Sequence, residues 1–119
     1  MDMDKYQEEA SRTGNMALTK EMKQATFAMG LAGEAGEVVD IMKKHLGHGH
    51  VLVRGQLEKE LGDVLWYIAA IASENNIKLS DVAHVNIMKL RARYPQGFTE
   101  ERSKARLDLE VDPNDATEF

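Results

Sequence analysis

The chain contains no cysteine and only two prolines among its 119 residues. Without cysteine, neither a disulfide framework nor a thiolate metal site can form. No run approaches the roughly 20 apolar residues of a membrane span, and the start, with acids at Asp2 and Asp4, lacks the basic and apolar segments of a signal peptide. We therefore expect a cytoplasmic protein that is not inserted into a membrane.

An excess of positive charge is also missing, because the formal net charge is -5. Much of the acidic excess lies in residues 100–119, which hold three Lys/Arg against seven Asp/Glu. Nucleic-acid polymers are bound through basic surfaces, so a polymer of this kind is not expected as a partner. A small phosphorylated ligand that brings its own divalent cations remains compatible with this charge.

Helical signals dominate the chain, and its length fits one domain with a modest core. We predict an all-α fold of four helices, at about 4–12, 19–46, 55–74 and 80–94, with Thr19 and Ser80 as N-caps. The domain is predicted to cover residues 1–99. Residues 100–119 are predicted to form an acidic C-terminal tail, either an arm or a disordered end.

Two acidic pairs, Glu34-x-x-Glu37 and Glu60-x-x-Asp63, lie at mirror-related distances from the Gly-His-Gly-His stretch at 47–50. A three-residue spacing puts both members of a pair on one face of a helix. If the chain reverses at the midpoint of this stretch, an antiparallel hairpin brings Glu37 opposite Glu60 and Glu34 opposite Asp63. Four carboxylates this close repel one another unless cations neutralise them. The pattern therefore predicts a metal-dependent site.

A single acidic pair would more often be a solvated helix face. Here, however, Glu34 falls inside an apolar stripe formed by Phe27, Leu31, Val38 and Met42, and Tyr67 lies one turn beyond Asp63 on the acidic margin. Glycines 30, 33 and 36 interrupt the same helix at about 1 kcal/mol each, which indicates a closely approaching helix or ligand. Trp66 faces away from the acids, and we expect it to pack between subunits. The three histidines near residue 48 are better explained by a polar turn than by a zinc site.

The fourth predicted helix carries Asn86, Lys89 and Arg93 on one face. This face is either a solvated basic surface or a phosphate clamp in which the lysine is a point charge and the arginine a fork. Together with the acids, it suggests a metal-bound polyphosphate as the ligand.

Three segments in order, GLAGEAGEVVDIMKKH, KELGDVLWYIAAIA and NIMKLRARYPQGF, resemble the MazG-like nucleoside triphosphate pyrophosphohydrolases of the all-α NTP pyrophosphatase superfamily. The resemblance covers about residues 4–99. It implies a four-helix MazG-like bundle completed by homo-oligomerisation, as a dimer or tetramer. It also implies hydrolysis of a nucleoside triphosphate to the monophosphate and pyrophosphate.

By this resemblance, Mg²⁺, with Mn²⁺ able to replace it, would be bound by four carboxylates, those of Glu34, Glu37, Glu60 and Asp63. Glu37 is the expected catalytic base. Tyr67 and Asn86 would bind the nucleotide, and Lys89 and Arg93 would lie near its phosphates. The residues expected to select the base are not recognisable in the short first helix, so the base stays open.

Two other functions fit the same residues. One is a phosphoribosyl-ATP or dUTP/dCTP-selective pyrophosphatase of the same superfamily, which would use the same acids. The other is a non-catalytic nucleotide-binding helical oligomer, against which the full set of four acids argues.

Overall fold

The computed structural model describes residues 1–106, which form five α-helices and no strand. The helices are α1 (Met3–Ser11), α2 (Lys20–His48), α3 (Arg54–Glu74), α4 (Leu79–Arg93) and α5 (Glu100–Ala105). The prediction of an all-helical chain is thus confirmed. The fifth helix lies where a tail was predicted, and it begins where Thr99 Oγ1 accepts a hydrogen bond from the Arg102 amide at 3.0 Å. The rest of the predicted tail, residues 107–119, lies outside the described residues.

The ends of α2 are set by two residues that sequence rules recognise. Thr19 is the N-cap as predicted, and its Oγ1 accepts a hydrogen bond from the Met22 amide at 3.2 Å. At the other end, Gly49 adopts a left-handed conformation with φ of +72°, which a residue without Cβ adopts at little cost. The chain can therefore reverse after α2, and α3 returns along it.

The register of this hairpin is visible in two pairs of facing residues. At its open end, Lys23 Nζ lies 3.5 Å from Glu74 Oε1. Nearer the turn, carboxylate oxygens of Glu34 and Asp63 lie within 4.8 Å of each other. Both pairs are symmetric about the point between residues 48 and 49, so the hairpin has the register predicted from the mirrored acids.

Helix α1 is attached to α3 by the indole of Trp66. Its Nε1 donates to the carbonyl oxygen of Ala10 at 3.1 Å and to Thr13 Oγ1 at 2.8 Å, and its ring meets Phe27 edge to face at 5.7 Å. Trp66 therefore packs against α1 of its own chain, and its expected packing between subunits stays a prediction. The polar N–H explains this contact, because a half-buried indole needs an acceptor, and the end of α1 and the turn after it provide one each.

The start of α4 is also held by α1. Asp4 accepts hydrogen bonds from the Ser80 amide at 3.2 Å and from Ser80 Oγ at 2.9 Å, which lowers the pKa of the Asp4 carboxyl. Gln7 Oε1 accepts from the Leu79 amide at 2.8 Å. Helix α4 accordingly begins at Leu79, one residue before the predicted start region, and its first amides are satisfied by α1 rather than by a Ser80 cap.

The buried core of the described residues is small. Four hydrophobic residues are buried, namely Phe27, Ala69, Ala72 and Leu79. Large apolar side chains remain exposed on α2 and α4, among them Met29, Val39, Leu46, Val85, Ile87 and Met88. Leu61, predicted to lie in the apolar stripe of α3, is 49% exposed. The chain on its own thus leaves much apolar helix surface uncovered.

Within the described residues, none of the helices combines the length and the apolar character that crossing a membrane requires.

Candidate metal centre

Three of the four predicted acids converge between α2 and α3. Each of Glu34, Glu60 and Asp63 offers a carboxylate oxygen, and these three oxygens lie within 4.8 Å of one another. Glu34 and Glu60 are half-buried, whereas Asp63 is exposed to solvent. The helical spacing of Glu60 and Asp63 puts both on the face of α3 that meets α2, so the hairpin register alone brings the third acid to them.

The repulsion among these acids affects the pKa of Glu34. Burial raises the pKa of the Glu34 carboxyl, and the negative charges of Asp63 and Glu60 raise it further. A hydrogen bond with Glu60 and the charge of Glu37 act in the same direction. In the metal-free protein Glu34 therefore holds a proton more tightly than an ordinary glutamic acid. A cation at the three carboxylates would remove this penalty.

Glu37 is set slightly apart from the other acids. It is exposed and does not belong to the group of oxygens within 4.8 Å, although its charge acts on Glu34. The hydrogen bond with Asp40, at 2.8 Å, raises the pKa of Lys44, and the charge of Glu37 acts in the same direction. Sequence reasoning missed Lys44, although it lies seven residues after Glu37 and hence on the same helix face.

Tyr67 lies on the same margin as the acids, and its ring is packed against the backbone of α2. A Cβ added to Gly30 would lie 2.2 Å from Tyr67 Cε1, so only glycine allows this approach. The ring also meets Trp66 edge to face at 5.0 Å and Phe27 at 6.4 Å. The prediction of a close approach is thus met at Gly30, whereas an added Cβ at Gly33 would meet nothing within 4 Å.

The predicted nucleotide-binding residues of α4 are not brought to the acids by any contact described within residues 1–106. Asn86 and Lys89 are exposed, and α4 packs mainly on α1 and α5. The Arg93 guanidinium carbon lies 5.8 Å from the ring centroid of Tyr94. A hydrogen bond with Ser103 and the neighbouring Arg93 lower the pKa of Tyr94. If these α4 residues bind the nucleotide as predicted, they must therefore do so at the acids of a second chain.

Two features of the packing between α1 and the α2–α3 hairpin were not predicted from the sequence. Tyr6 of α1 lies near enough to Asp63 that burial and the Asp63 charge raise the pKa of its phenol. A cavity of about 300 Å³ lies farther along the hairpin, between α1, α2 and α3. No sequence signal could reveal either one, because both depend on how α1 lies across α3.

The histidine turn offers no comparable arrangement. His45 Nδ1 lies 2.8 Å from the carbonyl oxygen of His50, and the rings of His48 and His50 are 6.5 Å apart. Among residues 1–106, the acids of α2 and α3 are the group whose side chains converge at metal-ligand distances. An all-oxygen set of this kind suits hard divalent cations such as Mg²⁺.

The fold and the site together define an all-helical protein with a carboxylate centre of the kind that binds divalent cations. The model of the MazG nucleotide pyrophosphohydrolase domain matches residues 22–98, well over half of the chain. The chain belongs to this family. The match spans all three converging acids, Tyr67 and the α4 residues, so the resemblance recognised in the sequence is confirmed.

One curated relative is the Gene 37 protein of Mycobacterium phage L5, which is 41% identical over 73 residues. The match covers 58% of this chain and 64% of the phage protein, so the chain spans less than two thirds of that relative. No solved structure matches the chain.

Proposed function

We propose that the protein is a Mg²⁺-dependent pyrophosphohydrolase that converts ribo- or deoxyribonucleoside triphosphates to monophosphates and pyrophosphate. The observation that carries the proposal is the convergence of Glu34, Glu60 and Asp63 in a chain of the MazG family. Burial and the charges of Asp63 and Glu60 raise the pKa of Glu34, and the group contains no lysine or arginine to neutralise it. Such an arrangement is expected where a cation binds. The proposed catalytic unit is residues 1–99.

Glu34, Glu60 and Asp63 would hold Mg²⁺, with Glu37 as a fourth ligand, and Mn²⁺ would be able to replace it. The bound ion would neutralise phosphate charge and lower the pKa of a water molecule at the phosphorus atom to be attacked. Glu37 is the proposed general base, because its carboxylate is exposed, lies outside the group of three converging oxygens and is close enough for its charge to act on Glu34. Tyr67 would contact the nucleotide next to the acids.

The proposed active protein is a homo-oligomer, either a dimer or a tetramer. Apolar side chains of α2 and α4 are exposed in the single chain, and such surface is normally covered in a soluble protein. Association would bring α4 of one copy to the acids of another. Asn86, Lys89 and Arg93 could then bind the nucleotide and its phosphates. Within one chain, no described contact brings these residues to the acids.

Two alternative functions can be distinguished from the main proposal by assays of the same protein. A phosphoribosyl-ATP or dUTP/dCTP-selective pyrophosphatase would use the same acids and differ only in the substrates cleaved. A non-catalytic nucleotide-binding oligomer would bind nucleotides without turning them over. No specific contact favours either alternative over the main proposal.

The deciding experiment incubates the protein with Mg²⁺ and a panel of nucleoside triphosphates, including phosphoribosyl-ATP, and identifies the products. Glu60→Gln and Glu37→Gln should each lower turnover at least about 100-fold while the protein stays folded, the scale of losing metal or base function. Glu58→Gln is the matched control, since Glu58 is exposed and pairs with Arg54 on the same helix. Release of nucleoside diphosphate and orthophosphate, or full activity of Glu60→Gln, would reject the proposal.

A further inference from the structure

The cavity between α1, α2 and α3 is lined by both apolar and polar side chains. Phe27, Trp66 and Ala70 are among the apolar ones, and Asn15 and Ser73 are among the polar ones. Its volume of about 300 Å³ is at the lower end of the range for small-molecule sites. Aromatic walls of this kind suit a flat heteroaromatic ring.

The cavity continues the helix faces that carry the metal centre. On α3, Asp63, Ala70 and Glu74 fall within about 20° of one direction, at spacings of seven and four residues. On α2, Lys23 and Phe27 fall within about 20° of the direction of Glu34. Both faces therefore run from the acids to the cavity, some 16 Å along the helix axis from Asp63 to Glu74.

The ring of Tyr67 stands between the two ends of this path, against Gly30. Helix α1 borders the cavity with Gln7 and Ala10, and the charge of Asp63 acts on the phenol of Tyr6. A ligand with phosphates at the acids would thus extend its other end under α1 and into the cavity.

An ion pair between Lys23 and Glu74 lies at the cavity. Their side chains are only 15% and 20% exposed, and Lys23 Nζ lies 3.5 Å from Glu74 Oε1. The described residues provide no other hydrogen-bond partner for either charged group. A largely buried pair with a single contact regains little of its desolvation cost. The second carboxylate oxygen of Glu74 and two ammonium hydrogens of Lys23 therefore remain available to a ligand.

We propose that this cavity takes the nucleobase of the substrate and that Lys23 and Glu74 read the hydrogen-bonding edge of the base. This inference rests on the proposed function, because it assumes that the phosphates of the same molecule lie at the acids. It goes further in assigning base recognition to an ion pair that does not contact the reacting phosphates.

The chemistry of the pair matches the edge of a base. A carboxylate accepts from an exocyclic amino group or a ring N–H, whereas an ammonium group donates to a ring nitrogen or a carbonyl oxygen. Cytosine and adenine present an amino group beside a ring acceptor, whereas uracil and guanine present a carbonyl beside a ring N–H. Exchanging the two protein groups reverses the order of donor and acceptor, and the preferred edge should change with it.

The test compares kcat/KM for CTP against UTP and for ATP against GTP. The double variant Lys23→Glu with Glu74→Lys keeps an ion pair but reverses it. We expect a melting temperature close to that of the unchanged protein and a change of at least about tenfold in one of the two ratios, the scale of a mismatched buried hydrogen bond. A purely structural ion pair would leave both ratios within about twofold, and that result would overturn the proposal.

Two further variants separate the role of the pair from general effects. Glu74→Gln removes one charge and should change the same ratio mainly through KM, with kcat largely kept. Glu9→Gln is the control, because Glu9 pairs with Lys5 at 3.4 Å on α1 and does not line the cavity. An equal change of the ratios in the control would also overturn the proposal.

A second readout works without turnover, since Trp66 is the only tryptophan of the chain and lines the cavity. Titration with cytidine, uridine, adenosine and guanosine should quench its fluorescence saturably, and the double variant should alter the order of these affinities. If no triphosphate is hydrolysed, the proposed function fails, while saturable quenching would still support the base site. If no nucleoside quenches Trp66, the base site fails even when hydrolysis is observed.

Discussion

Replacing Gly30 by alanine tests the packing that places Tyr67 between the metal centre and the cavity. The added Cβ would lie 2.2 Å from Cε1, 2.3 Å from Cζ and 2.7 Å from Cδ1 of Tyr67. These atoms belong to a rigid ring that is also in contact with Trp66 and Phe27, so the ring must move as a whole. The alanine variant therefore strains a packed aromatic cluster and not a flexible side chain.

The size of the effect follows from two opposing contributions. Overpacking a core position costs about 1–3 kcal/mol, while alanine in a helix interior is favoured over glycine by about 1 kcal/mol. Gly33→Ala is the matched control on the same helix, since nothing lies within 4 Å of its added Cβ. The control should gain up to about 1 kcal/mol of unfolding free energy, and Gly30→Ala should lie about 1–3 kcal/mol below the control.

Chemical denaturation of both variants measures this difference, and roughly 4 °C in melting temperature is expected for each kcal/mol in a domain of this size. Gly30→Ala should also raise KM for the nucleotide, because Tyr67 moves relative to the acids. A Gly30→Ala protein at least as stable as Gly33→Ala, with unchanged kinetics, would refute the placement of the ring against α2.

The other predictions concern the metal, the assembly and the bond that is cut. In metal-free protein the raised pKa of Glu34 means that the folded state binds this proton more tightly than the unfolded chain, so stability should fall as the pH rises from about 4.5 through the raised pKa. Mg²⁺ or the change Glu34→Gln should flatten this fall in a melting series, and Mg²⁺ should raise the melting temperature near neutral pH; no response to millimolar Mg²⁺ would contradict the metal site. Light scattering at micromolar concentration should give a dimer or tetramer, and an active monomer after dilution would contradict the proposed completion of the site by α4. Hydrolysis in ¹⁸O-labelled water should label the monophosphate, whereas label in pyrophosphate would move the attack to the β-phosphorus.

Much of the site could be predicted because its key distances are set along single helices. The three-residue spacing of Glu60 and Asp63 fixes their common face, and the mirrored position of Glu34 fixes its partner once the chain reverses near Gly49. Local rules also identified the Thr19 cap. They did not identify α5, because its six residues carry a cap but almost no apolar pattern.

The path of α1 could not be predicted in this way. Its position depends on hydrogen bonds between residues more than fifty positions apart, such as those of Trp66 with Ala10 and Thr13 and of Asp4 with Ser80. Periodicity contains no information on such contacts, since it reports only which face of a helix is apolar. The cavity shares this origin, because residues of α1 line it.

The sequence by itself therefore determined the first four helices, the register of the α2–α3 hairpin and the acids that face one another across it. These follow from rise and rotation per residue and from the position of the chain reversal. Only the tertiary structure decided that Glu37 stands apart from the other three acids, that Trp66 contacts α1 and that a cavity lies between α1, α2 and α3. The physical reason is that side-chain packing and long-range hydrogen bonds select one arrangement among several that satisfy the same helical pattern.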